Sequence, residues 1–178
     1  MRHYKFLSGL LLMVSTGFFG FGLPVNIQQK VVKEVEKTFS VTDFEMKELR
    51  VNDSINSKLP TKITGDNFFI IRQNGSLIGY AFVDQAQSKT AQFDYLVLFD
   101  RDLTVIHSKV LIYREEYGGE IGSKRWLRQF EGMSGKDRVS LSSNIDAISG
   151  ATISVRSMTR AMDNLLQTVG KLQEKHLL

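Results

Sequence analysis

The residues best placed to do chemistry are Asp146-Ala147-Ile148-Ser149-Gly150-Ala151-Thr152-Ile153-Ser154. Small residues, a glycine and three hydroxyls stand directly ahead of a strong amphipathic run. Two chemistries suit that pattern. Ser149, Thr152 or Ser154 can cap a helix by accepting from its free amides. Alternatively, the helix start can hold an anion, because its first N–H groups lack partners and its dipole favours negative charge. Gly150 and Ala151 would let a phosphate approach closely, and Arg156 would offset part of its charge. Spacing alone leaves both readings open.

Little else in the chain offers chemistry. There is no cysteine, which excludes disulfides, thiolate metal sites and a cysteine nucleophile. His3, His107 and His176 are far apart, and no His/Asp/Glu cluster has metal-ligand spacing. His107 reads as a satisfied structural histidine on a strand. There is no Walker loop, no G-x-G-x-x-G after a strand and no G-x-S-x-G elbow. Glu115 and Glu116 are adjacent and would face opposite ways on a strand, and Glu120 joins them only across a glycine turn.

The 178 residues carry 23 basic and 19 acidic side chains, a formal charge of +4. The basic residues are scattered among acids, so no nucleic-acid footprint is indicated. With 42% hydrophobic residues and two prolines, the chain suits one globular domain.

The elements that must position the motif follow from periodicity. Residues 25–39 read as an amphipathic helix, with Ile27, Val31, Val35 and Phe39 at i+4 spacing. Residues 44–51 alternate as a strand, and residues 52–64 read as a loop. Asn74-Gly75 joins strands 68–73 and 76–84 in a hairpin. Residues 93–99 are apolar on both faces, which predicts a central strand, and residues 104–113 form another. Ser123 opens a short helix through Phe130, broken by Gly132 and Gly135. Residues 155–172 form the second amphipathic helix, with Val155, Met158, Met162, Leu165, Leu166 and Val169 as its apolar stripe. The sum is an α+β fold, a single domain of antiparallel sheet with packed helices, behind an N-terminal apolar segment.

Residues 6–23 are uncharged and follow a basic start that includes Arg2 and Lys5. Residues 1–24 therefore read as a membrane anchor or a signal peptide, with residues 25–178 as the exported domain. Without residues 1–23 the formal charge is +2.

D-A-I-S-G-A-T resembles the flavinylation motif of the FMN-binding domain family, which includes the G subunit of the Rnf complex and the C subunit of the sodium-pumping NADH:quinone reductase. The resemblance implies a phosphoester between FMN and the Thr152 hydroxyl, installed by a flavin transferase. Asp146, Ser149, Gly150 and Ala151 match positions preferred by that transferase, and Ser154 matches a hydroxyl that commonly follows. Tyr113 to Ile121, with Trp126 and Gln129-Phe130-Glu131-Gly132, is similar to the family's E-x-x-G turn and W-x-x-Q-F-x-G helix. That similarity places Glu115 and Gly118 near the flavin ring, with Tyr113, Tyr117 and Trp126 as aromatics able to flank it; the bare spacing makes Phe130 core. Tyr117 stands where relatives usually carry proline. The resemblance runs from about Gly79 to Leu166.

It implies an extracytoplasmic electron-transfer flavoprotein at a bacterial membrane. Such a protein is a carrier or a subunit of a membrane oxidoreductase, rather than a stand-alone enzyme, and meets a membrane-bound redox partner. Two other readings stand beside it. One is a non-redox exported module that holds FMN or another phosphorylated ligand reversibly. The other is a structural subunit whose flavin site is vestigial.

Overall fold

The computed structural model describes residues 22–178, so most of the predicted anchor or signal lies outside the described residues. Among the described residues no helix is long and apolar enough to cross a membrane.

Five strands form one antiparallel sheet in chain order. They are β1 (Glu45–Glu48), β2 (Phe68–Gln73), β3 (Ser76–Gln87), β4 (Gln92–Phe99) and β5 (Val105–Ile112). The β2–β3 hairpin turns at Asn74 and Gly75, which adopt φ of 50° and 77°. A tight primed turn needs both positive angles, and these residue types tolerate them. β4 pairs with β3 on one side and β5 on the other, and all but its first residue are buried. A strand covered on both faces reads as a continuous apolar run rather than an alternating one.

The pleat divides the core into two layers. Phe68, Tyr80, Phe82, Phe93, Tyr95, Val97 and Phe99 point to one face. There they meet α4 (Thr152–Glu174), whose predicted stripe is buried throughout. Phe69, Ile71, Ala81, Val83, Leu96 and Leu98 point to the other face, against α1 (Val25–Phe39) through Ile27, Val31 and Val35. His107 is satisfied there as expected, with its Nε2 2.9 Å from Glu34 Oε2.

Four elements differ from the sequence reading. The strand expected over residues 44–51 shortens to Glu45–Glu48. The expected loop over residues 52–64 contains a single helical turn, α2 (Asp53–Asn56), because Asn52 Oδ1 accepts from the Ser54 amide at 2.9 Å and caps it. α4 begins at Thr152, three residues earlier than its apolar stripe, so the hydroxyl cluster forms its first turn. The helix expected from Ser123 to Phe130 is α3 (Lys124–Leu127) followed by a 3-10 turn over Arg128–Phe130. Ser123 stands at its N-cap, but its side chain makes no capping bond.

Candidate functional site

The site is built around the first turn of α4. Gly150 takes φ of 83°, a left-handed value that glycine adopts without strain. The chain then passes through Ala151, which is 3% exposed, into the helix. The reading of Ser149, Thr152 or Ser154 as a cap is not realised, since α4 has no side-chain cap. The first helical bond is made by the Val155 amide to the Ala151 carbonyl at 2.9 Å. The amides of Thr152, Ile153 and Ser154 thus point out of the helix start with no acceptor among the described residues. Unsatisfied donors at the positive end of a 23-residue helix are what an anion requires. Thr152 is exposed, so its hydroxyl is reachable from solvent.

Two segments clamp the approach to this turn. The first is α3 and its 3-10 extension. Trp126 Nε1 donates to the Asp146 carbonyl at 2.7 Å, and the Asp146 amide donates to Gln129 Oε1 at 2.8 Å. The tryptophan and glutamine of the W-x-x-Q-F pattern therefore grip the backbone of the first motif residue. Phe130 is fully buried and meets Trp126 edge to face at 5.2 Å, in keeping with its reading as core. Ser108 on β5 donates to the Leu127 carbonyl at 3.1 Å and fastens α3 to the sheet.

The second clamp is the turn after β5. Gly118 takes φ of 85° and lies against Ala151. A Cβ there would stand 2.7 Å from the Tyr113 hydroxyl and 3.6 Å from Ala151. Only glycine fits this close approach without displacing the motif. The Tyr113 hydroxyl lies 3.0 Å from Ser154 Oγ and 3.0 Å from the Tyr117 carbonyl, to which it donates. Tyr113 thus ties the turn to the first turn of α4.

Glu115 is placed beside this turn but is engaged elsewhere. Its Oε1 accepts from Ser88 Oγ at 2.5 Å and from the amides of Thr90 and Ala91 at 2.6 and 3.1 Å. The Ser88 hydroxyl and the Thr90 amide do most to hold the carboxyl down at about 2. Glu115 therefore staples the β3–β4 turn. Arg114 works alongside it, pairing with Asp94 Oδ2 at 2.5 Å and donating to the Gln92 carbonyl at 2.8 Å. These two residues fix the level of the Tyr113–Gly118 turn against the sheet. Sequence reasoning did not find the Ser88–Ala91 partner turn, which leaves no signal in the spacing.

Asp146, Ser149 and Arg156 are exposed, and their side chains make no hydrogen bond or ion pair among the described residues. Ser157, also missed, donates to the Gln87 carbonyl and pins the start of α4 to the end of β3. Beside the motif lies a cavity of about 490 Å³, walled by Glu120, Ser123, Arg125, Trp126 and Gln129 on one side and Asp146 to Ser149 on the other. Its volume lies in the range that takes a small molecule or cofactor. No cluster of metal-ligating side chains occurs among the described residues.

The donor set fits a phosphate: three free amides, a reachable threonine hydroxyl and a glycine–alanine contact that keeps side chains out of the way. Comparison with known proteins agrees. Residues 89–167 match the family model described as the FMN-binding domain. The crystal structure of Shewanella oneidensis NqrC covers 86% of this chain and 100% of its own, with a TM-score of 0.58 at 17% identity. That likeness shows the fold. No curated protein matches the chain. The matched segment opens at the β3–β4 turn that Glu115 staples and closes within α4, so it encloses both clamps and the whole motif. Residues 89–167 are therefore similar to the FMN-binding domain, on a fold like that of NqrC.

Proposed function

We propose that the chain is an extracytoplasmic electron carrier, or the carrier subunit of a membrane oxidoreductase, with FMN joined by a phosphoester to the Thr152 hydroxyl. One observation carries the proposal: an exposed threonine is the first residue of α4, inside D-A-I-S-G-A-T, with three unpartnered amides around it. The residues of this chain divide the task. The amides of Thr152 to Ser154 and the helix dipole bind and orient the phosphate oxygens. Arg156 adds a counter-charge, while Asp146 and Ser149 remain free for a flavin transferase to read. The Thr152 Oγ–P bond forms as an activated flavin nucleotide loses its leaving group and the hydroxyl loses its proton. When bound, FMN supplies the redox chemistry, and the protein holds it in place.

A tether suits a carrier outside the cytoplasm, where a dissociable cofactor would be diluted away. Residues 1–24 would serve as the anchor or export signal and residues 25–178 as the flavin domain. Intact mass after export reports both cleavage and flavin attachment.

The deciding experiment is co-expression with a flavin transferase, followed by a denaturing gel viewed for flavin fluorescence. A bright band that disappears in Thr152→Ala is expected. A dark wild-type band removes the covalent assignment. Reversible binding is the second reading, favoured by the same free amides, which hold a phosphate without any bond to Thr152. Flavin that co-purifies natively but washes out under denaturant selects it.

A further inference from the structure

We propose that the cavity beside the overhanging end of β3 is a second binding site, which takes an alkylammonium or guanidinium group against Asp84 and Tyr95. The site is separate from the flavin motif and independent of the flavin reading. β2 stops pairing where Phe68 meets Phe82, whereas β3 runs on to Gln87. The segment ahead of β2 bridges the start of this overhang, with the Asn67 carbonyl accepting from the Val83 amide at 2.8 Å. Between that segment, the overhang and the middle of α4 lies a cavity of about 580 Å³. Its volume is of the size that takes a small ligand. Ala161 and Asn164 of α4 line it, about 14–18 Å along the helix axis from Thr152.

The polar groups in its walls divide into engaged and open ones. Asp94 is engaged, since its Oδ1 accepts from Gln85 Nε2 at 2.8 Å and its Oδ2 pairs with Arg114. Lys62 Nζ donates to the carbonyls of Asn56, Ser57 and Leu59. Asp66 accepts from the Thr64 hydroxyl at 2.6 Å. Asp84 and Tyr95 stand directly opposite each other on β3 and β4, so their side chains share the α4 side of the sheet. The Asp84 carboxylate accepts from the Gln85 amide at 2.8 Å and, among the described residues, from no other donor. Tyr95 is 1% exposed, and its hydroxyl has no hydrogen-bond partner among the described residues. A buried phenol ordinarily has one. Burial, and then the Asp84 carboxylate, push this phenol well above its ordinary value and keep it neutral.

Lys62 and Arg114 offset two of the three carboxylates Asp66, Asp84 and Asp94, which leaves one negative charge for one cation. The Asp84 carboxylate and the Tyr95 oxygen can both accept from its N–H groups, and Ile27, Pro60 and Ala161 offer apolar wall to a carbon stem. No group of three metal-ligating side chains occurs among the described residues, so the donor set fits an N–H cation better than a metal ion. A free amine and a basic side chain of a protein partner share this chemistry.

The test titrates the full-length chain with n-butylammonium, n-butylguanidinium and 1-butanol at constant ionic strength, followed by calorimetry and by the NMR shifts of the tyrosine rings. Both cations should bind saturably and the alcohol should not. Asp84→Asn keeps the shape and should weaken cation binding roughly tenfold or more. Tyr95→Phe removes only the hydroxyl and should weaken it several-fold. Both variants should keep wild-type flavin brightness on the denaturing gel. A short acetylated peptide with one lysine separates the two sources. Tighter binding than butylammonium assigns the site to a partner's side chain, and equal or weaker binding assigns it to a free amine. No saturable cation binding to wild type, equal binding of the alcohol, or binding that both variants leave unchanged overturns the site. None of these outcomes bears on the Thr152 tether, which the gel alone decides.

Discussion

The two faces of the sheet carry helices of similar character and unequal duty. On one face α4 buries an unbroken stripe over 23 residues and presents its first turn to solvent with open donors. On the other, α1 runs 15 residues, buries Ile27, Val31 and Val35, and adds one polar contact through Glu34 and His107. The α4 face has a deep core under a site. The α1 face has a thinner core and, among the described residues, no comparable constellation. A helix terminus that must keep donors unpaired forgoes the stabilisation of a cap, about 1 kcal/mol. Packing further along α4 offsets that many times over. Met158, Met162, Leu165, Leu166 and Val169 are all fully buried, and each contributes roughly 1.5–3 kcal/mol of burial. The site is therefore left open at the end of the best-buried helix.

Paired core truncations test that contrast most severely. Met162→Ala should cost about 2–5 kcal/mol. Val35→Ala, a smaller deletion in the thinner layer, should cost roughly 1–3 kcal/mol. Urea unfolding of both variants, with flavin content read on the same samples, gives the comparison. Equal losses would mean that the faces bear equal weight. A Met162→Ala protein that folds but takes up less flavin would show that the core beneath α4 also sets the geometry of its first turn.

The same contrast explains what could be read from sequence. α1 was legible to the residue because an i+4 apolar period over 25–39 is a strong signal. The Asn74-Gly75 hairpin was legible because the turn demands those residue types. The motif was legible because Asp146 to Thr152 are contiguous and resemble a family pattern, whereas the hold of Trp126 and Gln129 on Asp146 was not, because those contacts span 20 and 17 residues and leave no period. The true start of α4 was not, because β-branched and hydroxyl residues favour helices weakly and resemble a loop. α2 was hidden in the same way, although Asn52-Asp53-Ser54 carries a capping signal. The Glu115 staple had no signal at all. Its partners at Ser88 and Thr90 lie 27 and 25 residues away, and a side-chain contact at that distance leaves no period.

That staple makes the next prediction. The Glu115 carboxyl titrates at about 2 in the fold, below its ordinary value of 4.5. A carboxyl whose folded value is depressed adds stability that is complete above the unfolded value and lost as pH falls through the folded one. Its contribution should therefore fade from about pH 4.5 down to about pH 2. Asp163, held down first by its hydrogen bond from Arg138, acts in the same direction. In Glu115→Gln the acid-side slope of Tm against pH should be shallower than in wild type, and the two curves should converge toward pH 2. Parallel curves over that range would show that the staple contributes nothing through its charge. If native flavin emission also changes in Glu115→Gln at pH 7, the β3–β4 turn is coupled to the site through the Tyr113–Gly118 turn.

The smallest effect belongs to the α1 face. Glu34 and His107 side chains are 16% and 21% exposed, and their contact joins the middle of α1 to β5. Glu34→Gln keeps an oxygen that can accept from the imidazole and removes only the charge. Glu34→Ala removes both. Partly exposed pairs of this kind contribute about 0.2–1 kcal/mol, which for a chain of this size is at most about 2–4 °C in Tm. The glutamine variant should fall within the lower part of that range and the alanine variant below it in stability. Neither should alter flavin attachment or native emission, because this contact lies on the face of the sheet opposite α4. Should Glu34→Ala reduce native emission at unchanged gel brightness, the layers would be coupled through the sheet, and α1 would be tuning the site rather than only covering the second core.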